Sequence, residues 1–215
     1  MKKIILLILL CAPFVSMKAQ WDASISMGLD YKYISSYREY INYNFPPSGG
    51  QLSSFTTAVN FSGEVDRLMS KKFMLGVEYS LMIDSYTTSN SLGGVYDISY
   101  SFHRPSVIAY YLIAGEGYKF KFGGGLGLRL VSLDEQRYSQ TTNYKATGAG
   151  VILKAEGNTL LSDNLYALIG VDLRYDIPGE IKSSNGQKLI NLSTGDAVNM
   201  NSLGVGIKLG ITYSF

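Results

Sequence analysis

His103 is the only histidine in the chain, and Ser106 follows three residues later. With carboxylates elsewhere to orient a base, the chemistry to consider first is a histidine-activated serine hydrolase acting on lipid. A general base must lie within hydrogen-bond reach of its nucleophile. On a strand, residues three apart point to opposite faces, unless a bulge at Pro105 turns one of them over. The pair therefore reads first as structural, and no catalytic residue is assigned. The only cysteine, Cys11, falls within the first 19 residues. Beyond them no thiol nucleophile, disulfide or thiolate-held metal is expected, and one histidine cannot build a His-rich site. Neither metal nor cofactor is expected. The run Gly123-Gly124-Gly125-Leu126-Gly127 has the glycine content of a phosphate-cradling loop. Such a loop opens a helix, whereas here alternation continues through Leu128 and Leu130, which reads as a strand with one small face.

The formal charge of the 215 residues is +2, but Lys2, Lys3 and Lys18 precede any acid. Without them 16 basic residues face 17 acidic ones, a net of −1. A near-neutral chain has no field to hold a polyanion, which argues against nucleic acid as a partner. Residues 1–19 read as a secretory leader: Lys2 and Lys3 form the positive end, Ile4 to Leu10 the apolar stretch, and Met17-Lys18-Ala19 a cleavage site before Gln20. An acylated Cys11 is disfavoured because Leu10, not a small residue, precedes it. The leader is too short to span a membrane, and nothing downstream offers about 20 consecutive apolar residues. The domain expected is 20–215.

That domain alternates with a period of two. Ile25, Met27, Leu29, Tyr31 and Tyr33 oppose Ser24, Ser26, Gly28, Asp30 and Lys32. Comparable segments begin near Phe55, Phe73, Phe120, Leu165 and Leu203, with weaker ones over 97–113, interrupted by Pro105, and 145–156. The fold class expected is all-β: an eight-stranded antiparallel up-and-down transmembrane barrel. Short connections near 67–71, 114–117 and 157–164 would be periplasmic. Long ones near 35–53, 85–96, 133–144 and 178–199 would be extracellular.

A soluble barrel of lipocalin type would put charge outside and apolar residues within. Here one face is Leu, Ile, Val, Phe and Tyr, and the other mixes Gly and Ser with both signs of charge. Turning the strands over would expose Lys121, Arg129, Lys154, Arg174 and Lys208 to lipid at up to about 2–4 kcal/mol each, comparable in sum with the whole stability of a domain, about 5–15 kcal/mol. The charged face must be the inside. Glu78, Lys121, Arg129, Lys154, Glu156, Asp172, Arg174 and Lys208 are expected there as a paired network in a closed polar core, with inward glycines making room for the long side chains. A narrow ion or proton path is the other reading.

Tyr31, Tyr33, Tyr79, Phe102, Tyr110, Phe120, Phe122, Tyr175, Tyr213 and Phe215 are expected on the outward face as interfacial girdles. Arg104 is expected near the outer interface, nominally facing lipid, where it could meet a lipopolysaccharide phosphate. In the first long connection Tyr37, Tyr40, Tyr43 and Phe45 precede Pro46-Pro47 and Gly49-Gly50. Exposed tyrosines suit contact with another protein; alternatively these rings pack on each other above the membrane.

The final residues, with Leu209, Ile211, Tyr213 and Phe215 alternating up to a terminal aromatic, resemble the C-terminal assembly signal of Gram-negative outer-membrane barrels. The resemblance implies handling by the barrel assembly machinery. The chain from Gln20 resembles small eight-stranded barrels of the OmpX, OmpA-domain and OmpW type. Residues 105–130, with Tyr110-Tyr111, a short turn and the glycine run, are similar to the outer membrane protein beta-barrel domain. No peptidoglycan-binding segment is expected after Phe215, unlike full-length OmpA-like proteins. What the resemblance implies is an outer-membrane location, contact with outer-membrane lipids and lipopolysaccharide, and a non-enzymatic role in envelope structure or surface interaction. The alternative is a small channel for ions or small hydrophobic solutes, and a remote third is lipid A modification resting on His103 and Ser106.

Overall fold

The computed structural model describes residues 20–45, 51–89, 95–137 and 140–215. The leader with Cys11, and the Pro46-Pro47 and Gly49-Gly50 pairs, lie outside them. The alternating segments form β1 (Trp21–Tyr33), β2 (Thr56–Ser70), β3 (Phe73–Ser89), β4 (Val95–Gly115), β5 (Tyr118–Arg137), β6 (Gln140–Ser162), β7 (Leu165–Ile177) and β9 (Ser202–Ser214). Two elements join them: helix α1 (Ser35–Asn44) and a two-residue strand β8 (Lys182–Ser183). Nine strands are therefore present among the described residues against the eight expected, the ninth being β8, which pairs with β6 at Tyr144 and Lys145.

All pairings are antiparallel. The order is β5-β4-β3-β2-β1-β9-β7-β6-β8, and β5 also pairs with β6, which links the two ends of the eight long strands. The first and last of these meet over twelve residue pairs, from Asp22 opposite Ser214 to Tyr33 opposite Leu203. Because strand side chains alternate, the register gives the sheet two unlike faces. Ile25, Val77, Leu126, Leu153, Ile169 and Ile207 are exposed on one; Asn60, Glu78, Lys121, Arg129 and Lys208 are buried on the other.

Tight turns at 71–72, 116–117 and 163–164 stand where short connections were expected, and Gly117 adopts φ +78, a left-handed turn position that glycine accepts without strain. The long connections differ from expectation. Residues 85–89 and 95–96 continue β3 and β4, paired as far as Ser89 opposite Val95. Residues 133–137 and 140–144 continue β5 and β6 as far as Arg137 opposite Gln140. Thr, Tyr and Ser suit a paired strand outside the apolar zone as well as a loop, and pairing decides.

The other two long connections fold inward. Tyr37, Tyr40 and Ile41, at helical spacing on one side of α1, are buried. Phe45 N–H closes the helix by donating to Ile41 O at 2.8 Å. In the last connection Ile181, Leu189, Val198 and Met200 are buried, held by bridges between Glu180 and Asn199, Lys182 and Lys188, and Ile190 and Ala197. Both segments pack on Met82, Ile98, Phe102, Val131 and Leu133 in one apolar cluster at the long-connection end.

The orientation of β4 is the main correction to the sequence reading. Phe102, Arg104 and Tyr110 were expected outward; all three are buried on the inner face. Aromatic residues occur on both faces of β4, so hydrophobicity does not distinguish them. What decides is what lies opposite: carboxylates for Arg104, and for Tyr110 the space left by Gly123, where an added Cβ would collide with its ring.

Candidate functional site

The inner face has two zones. Nearest the tight turns, Lys119 pairs with Asp22 at 2.9 Å. Lys121 pairs with Asp66 and with Glu156, each at 2.6 Å. One layer on, Lys154 joins Glu78 at 2.8 Å, Glu156 at 2.6 Å and also Glu64. Arg174 then bridges Glu78 at 2.7 Å and Asp172 at 2.9 Å, and Lys208 holds Asp172 at 2.7 Å. Arg104 spans Asp30 at 2.5 Å and Asp176 at 3.6 Å, and Asp176 also holds Arg129. Lys32 ends this run on Asp84 at 2.8 Å. Seven of the eight network residues named from the sequence are joined by these ion pairs, and Arg129 lies on the same face in a separate group with Asp176, Arg104 and Asp30.

Asp30, Lys32 and Glu64 fall on the inward-facing side in the sequence reading but not among the members of the network; Asp66, Arg104 and Asp176 were missed. The signal for Asp66 was the alternation of β2 continued two residues beyond Glu64. For Arg104 it was unbroken parity through Pro105. Unpaired buried charges are costly, and each group here has an opposite charge within reach. Gly150 permits close packing of one such pair: a Cβ there would meet the Arg129 guanidinium and, at 2.5 Å, the Asp176 carboxylate. A space of about 10 Å³ remains among Asp30, Arg104, Asp172 and Arg174, at the lower limit of what one water needs.

The second zone is the apolar cluster under α1. Tyr40 donates to Glu135, and Tyr96 donates to the same carboxylate at 2.8 Å. Arg137 pairs with Glu135 at 2.9 Å and lies over the ring of Phe45, which stacks on Tyr96. Burial first, and the Glu135 carboxylate second, raise the pKa of the Tyr40 phenol above its ordinary value. Of the four aromatic residues expected at the surface, only Tyr43 is well exposed; Tyr37 and Tyr40 are buried and Phe45 is packed against the cluster. The helix turns them inward because its other side faces solvent.

His103 and Ser106 lie on opposite faces. His103 Nδ1 meets the Tyr79 hydroxyl at 2.5 Å on the outer side. Ser106 Oγ is buried, accepting from Arg129 at 3.2 Å. No bulge at Pro105 brings them together, since Tyr79 pairs with Pro105 and Glu78 with Ser106 in unbroken register. Outside, Leu209, Ile211, Tyr213 and Phe215 are exposed along one edge of β9, and Phe215 N–H donates to Trp21 O at 2.8 Å.

No family model matches the chain, and no curated protein matches it in sequence. Solved structures do resemble it. Neisserial surface protein A (NspA) superposes with a TM-score of 0.54 at 12% identity, covering 91% of this chain and 97% of that one. The attachment invasion locus protein Ail of Yersinia pestis gives 0.54 at 12% identity, over 93% and 100%. A major outer membrane protein from Thermus thermophilus gives the same values, 0.54 and 12%, over 93% and 100%. The chain is thus an antiparallel all-β protein with the fold of known outer-membrane barrel proteins.

Proposed function

We propose that the eight long strands form an up-and-down barrel spanning the outer membrane of a Gram-negative bacterium. Residues 1–19 direct export and are removed, residues 20–215 form the single domain, and the barrel assembly machinery inserts it. The role is non-enzymatic: the barrel contributes to the envelope and presents its long-connection end to the outside. The observation that carries this reading is the inverted polarity. Among the described residues nineteen ionisable groups, ten acidic and nine basic, pair on the inner side, while an apolar belt faces out. A belt of Leu, Ile, Val and Phe this continuous suits hydrocarbon and not water.

Among the described residues at the outer end, Tyr43 and Leu192 are the most exposed large residues available for contact, at 60% and 77% exposure. They replace the tyrosines of α1 that the fold buries, and the external partner they would meet is a protein or lipopolysaccharide surface. The ion-pair layers and the helix over them leave the channel reading without an open path to support it. The test is conductance of the protein, purified from outer-membrane fractions, in a planar lipid bilayer. Silence is expected from the natural protein and from Arg129→Ala alike. Stable discrete steps whose size changes in Arg129→Ala would establish the channel instead.

A further inference from the structure

The outward apolar face is not smooth between β1, β2 and β9. Gly63 stands on that face of β2 between Phe61 and Val65, and Ala23 lies close by on β1, opposite Val65. The missing side chains leave a groove of about 720 Å³ walled by Met27, Phe61, Tyr79 and Leu209. It continues past Gly63 and Ile211 into a second space of about 410 Å³ that reaches Val65 and Tyr213. Two residues beyond Val65, on the same face, Arg67 lies over the ring of Trp21, 5.4 Å from its centroid. Arg67 has no carboxylate partner among the ion pairs of the described residues. Lys71 and Lys72 are exposed in the turn at the same end.

From Phe61 to Arg67 the strand covers about 20 Å. A tilt of about 40° makes that about 15 Å of depth, half of a hydrocarbon core of about 30 Å. The groove is one leaflet deep, with an unpaired cation at its foot. Among the described residues no outward strand residue near the tight turns is a carboxylate; the exposed acids at that end, Glu116 and Asp163, stand in the turns and not along the strands at the level of Arg67. A phosphate at the membrane surface does stand at that level.

We propose that this groove binds one anionic glycerophospholipid of the periplasmic leaflet, an acyl chain lying along Gly63 and the phosphate held by Arg67 beside Trp21. The proposal rests on the membrane reading given above. Trp21 is the only tryptophan in the chain, so its fluorescence reports on the foot of the groove alone. The protein is reconstituted in phosphatidylcholine vesicles holding a small fraction of dibrominated phosphatidylglycerol, a quencher.

The expected quenching corresponds to about five-fold enrichment of phosphatidylglycerol over the bulk at Trp21. Arg67→Gln should bring it to the bulk value. Gly63→Leu should do so as well by filling the groove; a Cβ at Gly63 meets only the Ser24 carbonyl oxygen, at 4.0 Å, so the substitution fits the strand. Should Gly63→Leu fail to fold, Arg67→Gln decides. Bulk quenching in the natural protein, or enrichment that survives Arg67→Gln or a folded Gly63→Leu, overturns the site. Quenching below bulk that deepens with protein density would place a second copy in the groove instead. A Trp21 emission typical of water, unquenched by any lipid, would be a different failure, that of the membrane reading itself.

Discussion

Lys154 shows what one residue does in a layer of ion pairs. Its ammonium serves Glu64, Glu78 and Glu156, while each of these has a further cation: Lys121 for Glu64 at 3.5 Å and Glu156 at 2.6 Å, and Arg174 for Glu78 at 2.7 Å. Removing Lys154 leaves an excess of buried negative charge, for which about 3–5 kcal/mol is the usual cost of breaking a buried pair. Lys154→Met should therefore lower the urea midpoint of vesicle-inserted protein by that equivalent. Adding Glu64→Gln should recover part of the loss, because Tyr110 can still donate to the amide oxygen at the position it now bonds at 2.8 Å. Strictly additive losses would mean that the layer is not coupled. At this scale the sequence was legible wherever charge and apolar residues alternated, as along β5, β7 and β9. It was not read for Phe102, Arg104 and Tyr110: only parity through Pro105 carried the signal, while the groups that hold Arg104 and Tyr110 inward, Asp30 and Asp176 on β1 and β7 and Gly123 opposite Tyr110 on β5, are not their neighbours in the chain.

The elements joining the strands were harder to read than the strands. Helix α1 has ten residues, fewer than the ~12–15 an isolated helix needs to hold in water. No side-chain cap starts it and no acidic residue stands in its first turn. It exists because Tyr37, Tyr40 and Ile41 find an apolar cluster to bury in, and that cluster includes residues of β4 and β5 and the last long connection. The spacing of these three, at i, i+3 and i+4, was the available signal, and a tyrosine-rich loop masked it. Ile41 is fully buried. Ile41→Asp would set an unpaired carboxylate among Leu133, Ile98 and Met200, and its lost burial alone is worth more than about 1.5 kcal/mol. The helix should then open locally while the strands stay paired. Trypsin cleavage after Arg38, on protein in vesicles, is expected to quicken by about ten-fold or more, with β-sheet circular dichroism unchanged. An unchanged cleavage rate would mean that α1 is held by its hydrogen bonds, such as Arg38 to Ser54 at 2.8 Å, and not by its apolar side.

At the scale of the whole molecule the decisive contact joins the two ends of the chain. β1 cannot find its second neighbour until β9 exists, and this pairing separates partners by nearly the full length of the sequence, the kind of contact that makes folding slow and exposes unpaired edges meanwhile. The sequence reading has a first and a last strand to pair because those two segments alternate most cleanly. It did not capture β8, whose two residues pair with β6 where the last connection folds onto the apolar cluster. Tyr213 and Phe215 sit at the seam yet remain 45% and 68% exposed on the outer face. Their rings pack edge to face on each other, 4.8 Å between centroids. If the terminal residues serve recognition by the assembly machinery, their loss should slow delivery far more than it weakens the folded state. For Tyr213→Ala with Phe215→Ala, the urea midpoint after refolding into vesicles should shift by no more than about 1 kcal/mol per site, as for exposed positions. The amount reaching the outer membrane of growing cells, measured by quantitative blotting of membrane fractions, should fall several-fold. Losses that match in the two measurements would mean that these residues act only by steadying the seam, and the assembly role would pass to Leu209 and Ile211 further up the strand.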